Sequence, residues 1–581
     1  VKHFLVAGTL CGAALLAGCY DAVSPLTSAQ RAVSPNLSTM NVTDVRVLTL
    51  AQASGGLTVP QGGAHQAYLV YLTNVGTTDT TVPQFSVAGD LLGAAGDVSL
   101  QHDAWQKATV ARASRGTTSS SGLRLSPRNA VATQFEATLR ARATRQAIPF
   151  FRSALARRDL VHPRFDVLPP PSVGSTMTIN VPADTSDCTH PSVTHGVVKA
   201  VSQRAIVVSD IASPAGGFQD TAFQAIAAEF DALTYPTITN YFGTPSDFDN
   251  NGRVIIYFTP FINSLSPVNP DDGYVGGTFF QDDLLPKSVC PASNAAELFY
   301  VVTPDPNGVV TQPFPTEGVR QIARGVLAHE FVHMINAGGR ISNPASKGFE
   351  SAWLDEGLAH LSEHIVGRAF EGINQEQALT IDQLRAMDES SWFAFFQGNL
   401  VNAYLYMERP DTIGPIATET HVETNAAERG AIWALLQYAG DQFSHGDRRT
   451  LIRGLVASAD TGVSNLVTNV GVPLDTLLTH WHTTLAMSPY SIGIDPTFQY
   501  TSYRWWNIYS SIVGPGREPG YPLAFAVLPD SNLTVQTPVA QSGAVFIGVV
   551  QSPQHTRHIR IAGLENGVDN PNLRIVIIRV N

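Results

Sequence analysis

QIARGVLAHEFVHMINAGG, residues 321–339, is the stretch whose reading decides the fold, and its centre is the pentapeptide HEFVH, His329 to His333. Val319, Ile322, Val326 and Leu327 recur upstream at helical spacing, Thr316 is placed to cap the start, and Gly338-Gly339 to end it. On a helix of 3.6 residues per turn His329 and His333 share one face, about 6 Å apart along the axis, with Glu330 beside them. Two imidazoles so placed can bind one ion. Zn²⁺ accepts such nitrogen and oxygen donors tetrahedrally, and three protein ligands leave the fourth position for water. Glu330 then stands where it can take that water's proton. The competing reading is two ordinary histidines on a core helix.

A third ligand has to come from elsewhere, and SAWLDEGLAHLSEHIVG, residues 351–367, supplies a second helix. Leu354, Leu358, Leu361 and Ile365 form an apolar stripe, while Glu356, His360 and Glu363 fall on another face at i, i+4 and i+7. A carboxylate on a helix that packs into a core is costly unless it is neutralised, and a divalent cation would neutralise Glu356. Imidazole ligates zinc equally well, so spacing alone does not separate Glu356 from His360.

HEFVHMIN followed by WLDEGLAH resembles the gluzincin metallopeptidases, in which two His of the first motif and a Glu of the second bind zinc. More narrowly, DFDNNGRVIIYFTPF (residues 247–261), SNAAELFYV (293–301) and RGAIWALLQYAGDQF (429–443) resemble the hyicolysin-like secreted peptidases. The resemblance covers roughly residues 174–489. It implies a zincin-like, thermolysin-type domain with Zn²⁺ as cofactor, His329, His333 and Glu356 as ligands, Glu330 as general base and a polypeptide as substrate. It also implies an oxyanion-stabilising Tyr or His, for which Tyr404, Tyr406, Tyr438, His421 and His480 are the candidates. The metzincin pattern fails, because it needs Gly and His where this chain has Asn336 and Gly339.

Val1 to Cys19 reads as an export signal: Lys2 and His3, an apolar run too short to span a bilayer permanently, then LAGC. LLAGC resembles the lipobox of bacterial lipoproteins, which implies lipidation of Cys19 and attachment to the cell envelope, at the outer membrane in a Gram-negative cell. Export places Cys188 and Cys290, the remaining internal cysteines past the signal, in an oxidising compartment, where a disulfide between them is expected.

The 581 residues argue for several domains, and a net charge of -12 without a basic stripe argues against a nucleic-acid partner. The Arg cluster between Arg140 and Arg158 reads as a solvated helix face. The expected organisation is multidomain α+β: signal 1–18, tether 19–37, a β-sandwich-like domain 38–105, a linker and helical segment 106–170 that could be a prosegment, the metallopeptidase domain 171–490, and a C-terminal β-sandwich-like domain 491–581. A monomer is expected. Asp247, Asp249, Asn251 and Gly252 match the opening of a calcium loop, but position twelve is Phe258 rather than a bidentate Glu, which favours a plain polar turn. Two other functions fit the same chain: a lipid-anchored surface binding protein or adhesin with an inactive peptidase domain, and a zinc esterase or amidase of small substrates.

Overall fold

The computed structural model describes residues 37–61, 67–77, 83–91, 98–101, 169–182, 188, 190–270, 273–416, 426–489, 495–512, 521–528, 533–550, 555–564 and 569–580. Cys19, the tether up to residue 36 and the Arg-rich segment lie outside these residues, as does His421. The described strands in chain order are β1 (Val45–Thr49), β2 (Leu57–Val59), β3 (Ala67–Asn74), β4 (Gln84–Leu91), β5 (Val98–Gln101), β6 (Thr176–Pro182), β7 (Pro191–Val201), β8 (Ala205–Asp210), β9 (Val254–Thr259), β10 (Gly277–Phe279), β11 (Leu298–Val302), β12 (Phe525–Leu528), β13 (Leu533–Pro538), β14 (Ala544–Val550), β15 (Arg557–Leu564) and β16 (Leu573–Arg579). The protein is a multidomain α+β structure.

The terminal β-rich regions, expected as two separate sandwiches, share their sheets. One sheet runs β1-β16-β3-β14-β12 and the other β2-β15-β4-β13-β5, so each N-terminal strand β3 and β4 lies between two C-terminal ones. Tyr71 of β3, for instance, is opposite Val576 on one side and Phe546 on the other. The physical reason lies in strand edges: either half alone would expose rows of unpaired backbone groups, and pairing with the other half removes them. Tyr68, Val70 and Leu72 of β3 point into the sandwich core, whereas Leu69 and Tyr71 belong to the main hydrophobic core of the rest of the chain. A strand with period-two apolar residues on both faces is a strand buried on both faces.

The third sheet has the order β10-β11-β9-β8-β7-β6. β8, β9 and β11 run parallel, and β6, β7 and β10 join antiparallel. All residues of β9 and β11 are buried, as expected of central strands covered by helices. The helices in order are α1 (Asp220–Glu229), α2 (Tyr235–Phe242), α3 (Pro260–Ser264), α4 (Thr316–Ser342), α5 (Ala352–Phe370), α6 (Ile381–Ala386), α7 (Gln397–Met407), α8 (Ala426–Phe443), α9 (Arg448–Ala457), α10 (Gly462–Val470), α11 (Leu474–Met487) and α12 (Trp505–Ile512). Among the described residues no helix is long and apolar enough to cross a membrane.

The boundary placed at residue 490 is not a break in packing. Tyr500, Tyr503, Trp505, Ile508 and Tyr509 belong to the main core. Trp505 stacks on Tyr503 at 4.6 Å, and the Tyr503 hydroxyl sits 2.7 Å from His364 Nδ1 on α5. The β-rich sequence that follows conceals one more core helix, α12, short and rich in aromatics.

Candidate metal centre

α4 begins with Pro315 as its cap rather than Thr316, whose hydroxyl makes no capping bond. It also runs through Gly338 and Gly339 to Ser342, past the stop expected from the glycine pair. Gly338 has another purpose: a Cβ there would come within 2.5 Å of Ser246 Oγ, so the glycine admits a neighbouring loop instead of ending the helix. α5 follows ten residues later and packs on α4, fastened by the Ser362 hydroxyl donating to Ala328 O at 2.8 Å. Gly357, next to Glu356, performs a similar service against α8, since a Cβ would meet Ile432 Cγ1 at 2.5 Å.

The two helices bring His329, His333 and Glu356 together, with one donor atom of each within 4.8 Å of the others. His329 Nε2 lies 3.4 Å from Glu356 Oε2, and His333 Nε2 lies 3.8 Å from Glu356 Oε1. The opposite ring nitrogens are already engaged: His329 Nδ1 is 2.7 Å from Glu363 Oε1, and His333 Nδ1 is 2.7 Å from Asp355 Oδ2. A carboxylate only accepts, so each Nδ1 carries a proton, and each Nε2, turned towards Glu356, is the nitrogen left to bind a cation. That tautomer is the one a metal-binding imidazole adopts when an outer carboxylate orients it. Glu330 is 7% exposed on the same helix, and Arg429 Nη1 of α8 approaches Glu356 Oε2 to 3.5 Å. Two nitrogens and a carboxylate oxygen, buried and converging, form a donor set that suits a divalent cation of borderline softness.

The electrostatics point the same way. Burial pushes the His329 imidazole down, but the carboxylates of Glu356, Glu363 and Glu330 outweigh it and hold its pKa well above the usual histidine range. Burial raises Glu363, but the neighbouring His360 and His329 bring it down to about 2. Without an ion the site therefore attracts positive charge. His360, the alternative third ligand, clusters instead with His329 and Glu363: its Nδ1 lies 3.1 Å from Glu363 Oε1, and burial pushes its pKa down.

The roles of Asp355 and Glu363 escaped the sequence reading. Asp355 adjoins Glu356 in the quoted WLDEG segment, and Glu363 stands on the polar face of α5, so both were visible as residues without their partners. Of the oxyanion candidates, Tyr406 bonds His482 Nε2 at 3.0 Å and Tyr438 donates to Thr497 O at 2.6 Å. Tyr404 lies against Tyr509, and His480 against Phe498. Cys188 and Cys290 are paired as a disulfide with Cα atoms 5.1 Å apart. In the loop at Asp247 the chain forms a polar turn, Gly252 N donating to Asp247 Oδ1 at 3.0 Å. Phe258 is buried in β9, and Glu297 from a separate segment brings a third carboxylate to Asp247 and Asp249.

The arrangement defines a class of site, a helix carrying H-E-x-x-H joined by a glutamate from the following helix. The chain is similar to the neutral metalloprotease ShpI of Staphylococcus hyicus, with 32% identity over 146 residues. That match covers 25% of this chain and 31% of the relative, so the chain spans about a third of the relative's length. No protein-family profile matches the chain.

Proposed function

We propose that this protein is a zinc-dependent endopeptidase of the gluzincin type, with His329, His333 and Glu356 as metal ligands and Glu330 as general base. One observation supports this most: both histidines commit Nδ1 to an outer carboxylate and turn Nε2 towards the same glutamate. The similarity to a neutral metalloprotease points to the same chemistry. Zinc held there would supply Lewis-acid chemistry, polarising a peptide carbonyl and acidifying water. Glu330 removes the proton from the attacking water and returns it to the leaving amine. Asp355 and Glu363 keep the two imidazoles in the ligating tautomer.

On this reading the protein is exported and held to the cell envelope through lipid on Cys19. The Cys188–Cys290 disulfide suits an oxidising compartment. Glu330→Gln tests the mechanism: peptide hydrolysis should fall by about 10²–10⁴-fold or more while stoichiometric zinc is retained. Near-wild-type casein cleavage by the zinc-loaded Gln variant would remove Glu330 from its role. Peptide-library profiling of chelated and zinc-restored protein separates an endopeptidase from an inactive binding protein and from an esterase of small substrates.

A further inference from the structure

His333 is the end of a buried polar chain that runs well beyond its carboxylate partner. Asp355 Oδ2 accepts from His333 Nδ1, and Asp355 Oδ1 accepts from Asn336 Nδ2 at 2.6 Å. Asn336 Oδ1 in turn accepts from Arg340 Nε at 2.9 Å. Arg340 Nη2 pairs with Glu350 Oε2 at 2.5 Å, and its Nη1 donates to the carbonyls of Asp460 and Gly348. Glu350 is itself fixed by Gly462 N at 2.6 Å and by Asn465 Nδ2 at 2.6 Å, at the start of α10. Asn336, Arg340 and Asp355 are each at most 3% exposed.

An ion pair buried this deeply costs desolvation, and apolar residues of similar volume would stabilise a core as well or better. What the chain supplies is direction. An asparagine amide can present either its NH₂ or its carbonyl to a neighbour, and the two ends are nearly the same shape. Arg340 has only donors, so Asn336 must turn its carbonyl to Arg340 and its NH₂ to Asp355. That leaves Asp355 Oδ2 for the His333 Nδ1 proton, and Nε2 faces Glu356. His333, Asn336 and Arg340 follow one another at i, i+3 and i+7, so a single helix face carries the series.

We propose that Arg340 and Asn336 are positioning residues for the metal, fixing the tautomer and ring orientation of His333 through Asp355. The inference rests on the ligand assignment above and extends it to residues that touch neither ion nor substrate. The test measures the zinc dissociation constant by competition with a chromophoric chelator, using the full chain, for wild type, Asn336→Ala and the double variant Arg340→Met/Glu350→Gln. The double variant removes both charges together, so no lone buried charge is left to unfold the protein. Outer partners of this kind typically govern metal affinity by about 10–100-fold, and that loss is expected in both variants. The absorption bands of the cobalt-substituted protein should shift as well, which a purely structural contribution to folding would not cause. Wild-type affinity and wild-type cobalt bands in a folded variant would overturn the inference. Wild type that fails to bind zinc would instead overturn the ligand assignment, so the two failures are separable.

Discussion

His329 and His482 both lie in the interior of helical cores, yet the groups packed against them make opposite demands. His329 meets three carboxylates, from Glu330, Glu356 and Glu363, and its pKa is held well above the ordinary range. His482 meets hydroxyls: Thr73 Oγ1 at 2.9 Å on Nδ1 and Tyr406 at 3.0 Å on Nε2. With no carboxylate to offset burial, its pKa is pushed down to about 3. The first histidine sits in a place prepared for positive charge, and the second is kept neutral as a hydrogen-bonded strut. That strut joins the shared sandwich to the helices, aided by Tyr71, whose hydroxyl donates to Thr479 O at 2.6 Å. Burial alone does not make a histidine functional; the charge of what surrounds it does.

The contrast breaks most visibly if each histidine is removed. His329→Ala should weaken zinc binding by well over about 100-fold, beyond the 10–100-fold typical of an outer partner, and abolish hydrolysis. His482→Gln should leave zinc stoichiometry intact and lower unfolding free energy by about 1–3 kcal/mol, because buried hydroxyls lose a partner. Metal titration and urea unfolding of both variants read the two effects side by side. Zinc loss in the His482 variant, or wild-type zinc affinity in the His329 variant, would erase the distinction.

A smaller effect sharpens it. His482 is neutral in the folded protein down to about pH 3, whereas an unfolded histidine takes up its proton near pH 6.5. Between those values the unfolded chain binds more protons, so stability falls as pH falls, by at most about 1.4 kcal/mol per pH unit from this group. His482→Gln should flatten the wild-type slope between pH 6 and pH 4 by up to that amount. An unchanged slope would mean the ring is protonated in place.

The metal helix and its H-E-x-x-H face were legible because both depend on local spacing. Spacing left Glu356 and His360 level, since one helix face carries both, and the preference for Glu356 rested on the resemblance; in the structure Glu356 faces Nε2 of both histidines of α4 while His360 lies against Glu363. Glycine misled at Gly338, where local propensity suggested a stop and packing against Ser246 decided otherwise. The shared sandwich was invisible for a related reason: alternation shows that a segment is a strand but not which distant strand it pairs with. Tyr71 reads as one more aromatic in β3 until Phe546 and Val576 are seen on either side of it. Arg340 and Glu350 look like surface charges in sequence, because nothing local signals that they are buried against each other.

The most direct test of the central claim is anomalous diffraction at the zinc edge from crystals of the zinc-loaded protein. The account predicts one peak between α4 and α5, bonded at about 2.0–2.2 Å to Nε2 of His329, Nε2 of His333 and the carboxylate of Glu356. A zinc peak held by His360 and Glu363, or none between His329 and His333 in protein shown to contain zinc, would contradict it.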